Sequence, residues 1–192
     1  MSAYIKILLN ICWGIVLVHW LITGINSKKT TRQEPLYKRF ILYWLPLMFA
    51  TYLLGPGEWF GHTLLRENFV PHTDLVGIIG LIFCGVGVTI ACWSRVQLGK
   101  NWSLSVQQKE NHELISSGAY KIVRHPIYTG LLLMFFGTSI IVGDWRGLIA
   151  VAIITASFWV KLRKEEQWLI EVFGDEYVEY KNRTNALIPW LV

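Results

Sequence analysis

The chain has 192 residues, 53% of them hydrophobic, with ten Trp, eight Tyr and nine Phe and a mean hydropathy of +0.40, which excludes an ordinary soluble domain. Its formal net charge of +5 implies no nucleic-acid partner, because the basic residues sort to one side of a membrane. Cys12, Cys84 and Cys92 lie in apolar stretches without C-x-x-C spacing, and the five His are scattered, so neither a metal site nor a disulfide framework is implied.

A span of about 20 apolar residues crosses a bilayer core roughly 30 Å thick. Five stretches approach or reach that length: 3–25, 40–54, 75–96, 127–142 and 145–160. The first is long for a cleavable leader and has no small-residue cleavage site after it, so it reads as a retained helix. His19 within it reads as a neutral, hydrogen-bonded helix contact. Pro46 is placed to kink the second span, and the Gly55-Pro56-Gly57 turn follows it. In the third, Gly77, Gly80, Gly85 and Gly87 predict close helix packing. The loop 99–120 is too polar to span and is placed to act as a lid.

Pro126 suits the first turn of the fourth helix, where its missing N–H costs little. That helix start, with its free N–H groups and partial positive charge beside Arg124 and His125, suits an anion or a carboxylate. Beyond residue 160 the pattern turns amphipathic: at about 100° per residue Leu162, Leu169 and Phe173 share one face, and Lys164, Gln167 and Glu171 the opposite one. Glu165 and Glu166 fall at the two edges of the apolar face, where a carboxylate must be paired or hold a cation. Gly174 ends the helix, and Tyr177 and Tyr180 are expected to pack the tail on the membrane domain.

Fifteen of the eighteen Lys and Arg fall on one side of this five-span arrangement, leaving only Lys6, Arg66 and Arg146 on the other. The positive-inside rule then puts the amino terminus outside and the carboxyl terminus in the cytoplasm. No linker or repeat divides the chain, so residues 1–192 read as one membrane domain, with N-terminal helices over 1–94 and the chemistry in 95–192. Arg124 and His125 enter one membrane segment and Lys164, Glu165 and Glu166 leave the next, so two ionisable clusters flank one hairpin beside lipid.

Four motifs follow in order: L-G-x-N-W-S at 98–103, H-x-L-I-x-x-G-x-Y at 112–120, R-H-P-x-Y-x-G at 124–130, and E-E-x-x-L-x-x-x-F-G-x-E-Y-x-x-Y at 165–180. Together they resemble the isoprenylcysteine carboxyl methyltransferase family in its prokaryotic-type members, within a wider group that includes phospholipid methyltransferases. The resemblance covers half the chain, residues 95–190. It implies an all-α, multi-pass protein of a prokaryotic cell membrane that uses S-adenosyl-L-methionine, bound in a cytoplasmic pocket formed by the C-terminal half.

By similarity, cofactor contacts are expected at Gln107, His112, Glu113, Leu114, Ile115, Tyr120, His125, Pro126, Ile127, Tyr128, Glu165 and Glu166. Arg124 and Glu165 are expected at the catalytic centre. The family's substrate-carboxylate Arg, four residues before the Glu, is Lys161 here, with Arg163 two residues on as the other candidate cation; Lys offers a point charge where Arg offers a bidentate fork. The implied activity is methyl transfer to an amphiphilic or small acceptor, as in protein-S-isoprenylcysteine O-methyltransferases, with phospholipid N-methylation as the alternative. An NADPH-dependent, sterol-reductase-like enzyme shares the R-H-P-x-Y pattern, but the chain lacks the reductase ending and a nucleotide-binding glycine fingerprint. A non-enzymatic membrane scaffold is the remaining alternative.

Overall fold

The computed structural model describes residues 1–24, 30–99, 107–109 and 114–189, with side chains described over 1–24, 34–99 and 114–189. Helices dominate: α1 (Ala3–Gly24), α2 (Leu36–Arg39), α3 (Leu45–Leu53), α4 (Asp74–Leu98), α5 (Pro126–Val142), α6 (Trp145–Phe173) and α7 (Asp175–Arg183). Three of them, α1, α4 and α6, are long and apolar enough to cross a membrane, and α5 is a shorter apolar helix. The 29 residues of α6 extend about 44 Å, so a roughly 30 Å hydrocarbon layer leaves its last turns outside. Gly174 turns the chain at φ +55°, a conformation open to glycine, and α7 folds back from there.

Between α2 and α3, residues Phe40–Trp44 form a π-helical turn, so helix runs unbroken from Leu36 to Leu53. The sequence explains this turn. Pro46 has no N–H for the carbonyl of Leu42, four residues back, and its ring crowds that oxygen. The orphaned carbonyl accepts instead from Ser157 Oγ of α6 at 2.7 Å, which satisfies it and pins α6 to the π turn.

The packing of α4 on α5 rests on glycine. A Cβ on Gly87 would stand 2.5 Å from the carbonyl oxygen of Gly130, and one on Gly130 would stand 2.6 Å from that of Gly87. Gly80 and Gly137 repeat the arrangement one heptad away, and Gly77 makes room for Ile5 and Met1. Gly85 faces open space, so the packing role expected for the four α4 glycines holds for three. Gly87→Ala must push backbone against backbone, and is expected to cost about 1–3 kcal/mol as overpacking. Thermal unfolding in detergent reads this loss, with Gly85→Ala as the neutral comparison.

Alongside, α1 packs on α4, and α3 and α5 pack on α6. Ala50, Leu53, Phe135, Ala150 and Ile154 form the main core, with Trp13 against it. At the end holding Met1, Asp144 and Arg146 form a buried pair at 2.7 Å, and Arg146 also donates to the Gly55 carbonyl at 3.1 Å. At the opposite end Arg95 donates to Gly99 O and Thr23 O, closing α4 and tying down the end of α1. His19 sits edge-on to Trp20, and its Nε2 has no hydrogen-bond partner among the described residues. The hydrogen bond expected there is therefore not found at that nitrogen.

One feature departs from the all-helical expectation. Residues Thr30–Gln33 (β1) and Gln107–Lys109 (β2) pair antiparallel, Gln33 opposite Gln107, and join two polar loops at the charged end. Half of the loop expected to act as a lid lies outside the described residues.

Candidate active site

The start of α5 is held by a strap. The backbone N–H of Arg124 donates to Asn185 O at 2.8 Å and that of His125 to Ala186 O at 2.9 Å. One turn on, Thr129 Oγ1 donates to Leu187 O at 2.7 Å. Pro126 has no N–H to give and opens α5 directly after. Tyr180 on α7 donates to Tyr120 O at 2.6 Å, and Tyr120 donates to Ser94 O at 3.3 Å. Burial pushes the Tyr180 phenol up to about 12, with Arg124 opposing the shift, so the hydroxyl stays protonated and able to donate.

Beneath the strap, Glu166 gathers two cations and an imidazole: Arg124 Nε at 2.7 Å, Lys181 Nζ at 3.2 Å and His125 Nε2 at 3.4 Å. The His125 approach lies off the line of a hydrogen bond. Arg124 Nη1 also donates to Lys181 O at 3.1 Å and to Thr184 O. A carboxylate buried this deeply is tolerable only when so compensated.

Glu165 has a different setting. Its side chain is 22% exposed against 3% for Glu166. It accepts from the Tyr128 hydroxyl at 2.7 Å, and His125 Nδ1 stands 3.8 Å away. The His125 and Tyr128 rings stack at 5.5 Å and 16°, making a flat wall beside the carboxylate. The buried Lys161 also lies over Tyr128, its Nζ 5.2 Å from that ring and 5.7 Å from the ring of Tyr43. Such placement over two aromatic faces stabilises an ammonium removed from water. Tyr43 in turn donates to the buried Glu34 at 2.5 Å.

The structure thus brings Arg124, His125, Tyr128, Lys161, Glu165 and Glu166 into one cluster, as the flanking motifs predicted. Pro126 and Ile127 are buried beside it, and Leu114 and Ile115 are half-buried. Gln107 lies on β2, its side chain undescribed; His112 and Glu113 lie outside the described residues. Two expected catalytic cations have other partners. Arg124 braces the strap and Glu166, while Arg163 is exposed and stacks on Trp159 at 5.0 Å. The helical period explains Arg163, which stands roughly 200° round α6 from Lys161.

Glu34 and Tyr43 were missed by sequence reasoning. The available signal was a lone carboxylate amid Lys28, Lys29, Arg32, Lys38 and Arg39, just before an apolar helix. The π turn that presents Tyr43 follows from Pro46.

Comparisons with known proteins show what the chain is similar to. Residues 75–176 match the phospholipid methyltransferase family. A protein-S-isoprenylcysteine O-methyltransferase of Schizosaccharomyces pombe is 28% identical over 159 residues, covering 77% of this chain and 66% of the relative. Methanethiol S-methyltransferase 1 of Bradyrhizobium diazoefficiens is 42% identical over 71 residues, 37% of this chain and 24% of the relative. The chain spans about four- to seven-tenths of the length of the isoprenylcysteine methyltransferases it matches. The solved structure of a eukaryotic intramembrane Ras methyltransferase, isoprenylcysteine carboxyl methyltransferase, shares the fold with a TM-score of 0.51 and 24% identity over 83% of this chain and 55% of that one. From the matched stretch, which contains α4, α5, α6 and both clusters of the site, the chain is an integral membrane protein that belongs to the phospholipid methyltransferase family and is a relative of its isoprenylcysteine O-methyltransferases.

Proposed function

We propose that this protein is an S-adenosyl-L-methionine-dependent methyltransferase acting at the cytoplasmic membrane face on an amphiphilic or small acceptor. The observation that carries the reading is the meeting of a partly exposed carboxylate, Glu165, with the stacked His125 and Tyr128 at the start of α5. The donor set fits the cofactor. Glu165 would take its ammonium. The first-turn amides of Ile127 and Tyr128, which have no acceptor in their own helix, would take its carboxylate. The aromatic wall would cover an apolar or adenine surface. When bound, the cofactor supplies a methyl group on a positively charged sulfur.

The chain's own part is positional. Methyl transfer is an in-line displacement, and holding the acceptor in near-attack geometry with water excluded supplies much of the acceleration. Arg124 and Glu166 fix His125 without facing the acceptor. Lys161, between Tyr43 and Tyr128, stands at the acceptor side and would orient an anionic head; a carboxylate acceptor then needs no general base. An amine acceptor must first be neutral, and His125 or Glu165 would take its proton. The 42% identity to a methanethiol methyltransferase favours a second reading, a small thiol acceptor. The basic residues at the His125 end support placing that end in the cytoplasm.

Calorimetric titration of the detergent-purified protein with S-adenosylhomocysteine, S-adenosylmethionine and NADPH tests the proposal. Saturable binding of the two sulfur compounds and none of NADPH is expected. Binding of NADPH alone overturns it in favour of a reductase. Methyl transfer to a long-chain carboxylate, a lipid amine and a simple thiol then separates the acceptor classes.

A further inference from the structure

On its outer side, the seam between α2 with its π turn and the charged end of α6 carries a groove of 590 Å³, a volume in the range of ligand sites. Ile41, Leu42, Trp159 and Val160 make it apolar. Lys38, Arg163 and Lys164 line the same concavity, brought from two separate segments. The carboxylate lining it, Glu34, is buried and accepts the Tyr43 hydroxyl. A surface with apolar walls and, among the described residues, three cations against one carboxylate complements an anionic head on hydrocarbon chains.

The groove is not the methyl-transfer site. Taking about 100° per residue, Lys164, Val160 and Arg163 lie roughly 60°, 100° and 160° round α6 from Lys161, on the side away from Glu165. Tyr43 and Glu34 form the wall between the two. A ligand seated here has its head where α6 leaves the apolar layer and its chains along Ile41, Leu42 and Val160. Ordinary interfacial anchoring would scatter such cations around the helix ends; here they converge on one concavity whose floor is apolar. We infer that this groove binds an anionic membrane phospholipid, separately from the acceptor.

Native mass spectrometry of the protein in neutral detergent, titrated with phosphatidylglycerol and with phosphatidylcholine of the same chains, tests the site. Preferential retention of phosphatidylglycerol is expected. Each cation beside an anionic head is worth roughly fivefold in affinity, so Lys38→Gln/Lys164→Gln is expected to lose about 30-fold for phosphatidylglycerol and little for phosphatidylcholine. A pair of equal charge loss elsewhere, Lys121→Gln/Arg183→Gln, is expected to keep the preference. Equal retention of both lipids by the unaltered protein overturns the inference, as does an equal loss in the two double variants.

A second measurement needs no charge variant. Brominated phosphatidylglycerol is expected to quench a fluorescence component that Trp159→Phe removes, and quenching identical in both proteins overturns the site. S-adenosylhomocysteine binding is followed in every preparation, so failure of the methyltransferase reading and failure of the lipid site give different results.

Discussion

Replacing Glu165 with alanine is expected to raise the dissociation constant for S-adenosylhomocysteine by about 30- to 150-fold, equivalent to about 2–3 kcal/mol. The size follows from the setting. Glu165 is partly shielded from water, receives the Tyr128 hydroxyl at 2.7 Å and borders the stacked His125 ring, so a ligand ammonium meeting it makes a charge-assisted hydrogen bond in a reduced dielectric. Glu165→Gln keeps an acceptor for Tyr128 and loses the charge, and is expected to recover only a few-fold of the affinity. Tyr128→Phe removes one hydrogen bond to the carboxylate and is expected to weaken binding less than tenfold. Calorimetry on preparations with unaltered unfolding midpoints checks the series; a Glu165→Ala protein that binds within threefold of the parent sinks the assignment.

Glu166→Ala is expected to act on stability instead. It leaves Arg124, Lys181 and His125 around a void where a buried carboxylate stood, and breaking a buried ion cluster by removing one partner costs about 3–5 kcal/mol. For a chain of this size that corresponds to a midpoint lower by roughly 6–20 °C, against a change within about 1 kcal/mol for Glu165→Ala. An apolar replacement of the pair, Arg124→Met with Glu166→Leu, is expected to recover much of the stability, because the uncompensated charge is removed with its partner. Ligand affinity is not expected to return with it, because the imidazole of His125 has lost the carboxylate that orients it. Thermal unfolding and S-adenosylhomocysteine titration of the same three proteins separate the two effects; equal stability losses at positions 165 and 166 contradict the division of labour between them.

That division was not legible in the sequence. Both glutamates fall on edges of the apolar face of α6, 100° apart by the helical period, and only their neighbours separate them. Those neighbours arrive from α5, α7 and the strap at residues 184–187, which no local pattern places. The same limit applies to Lys161 and Arg163: the sequence offered both cations, and packing buries one between Tyr43 and Tyr128 while leaving the other on Trp159. By contrast, the helices were readable because hydropathy over some twenty residues is a strong signal. The convergence of Arg124 and His125 with Glu165 and Glu166 was readable because the motifs bracket a single hairpin. Pro46 marked a disturbance in the second helix, but the form it takes, a π turn completed by Ser157, needed the partner helix in view.

The strap at the start of α5 sets an order of events in biosynthesis. Arg124 leaves the ribosome 60 residues before Thr184, whose carbonyl it binds; at about 5–20 residues per second that interval lasts roughly 3–12 s. Through it an arginine and a histidine wait at the membrane boundary while α5 and α6 insert, without Glu166 for part of the time and without the strap for all of it. The helices that form the core are already in place when the site closes. The cluster around Glu166 therefore closes only after translation has passed residue 184.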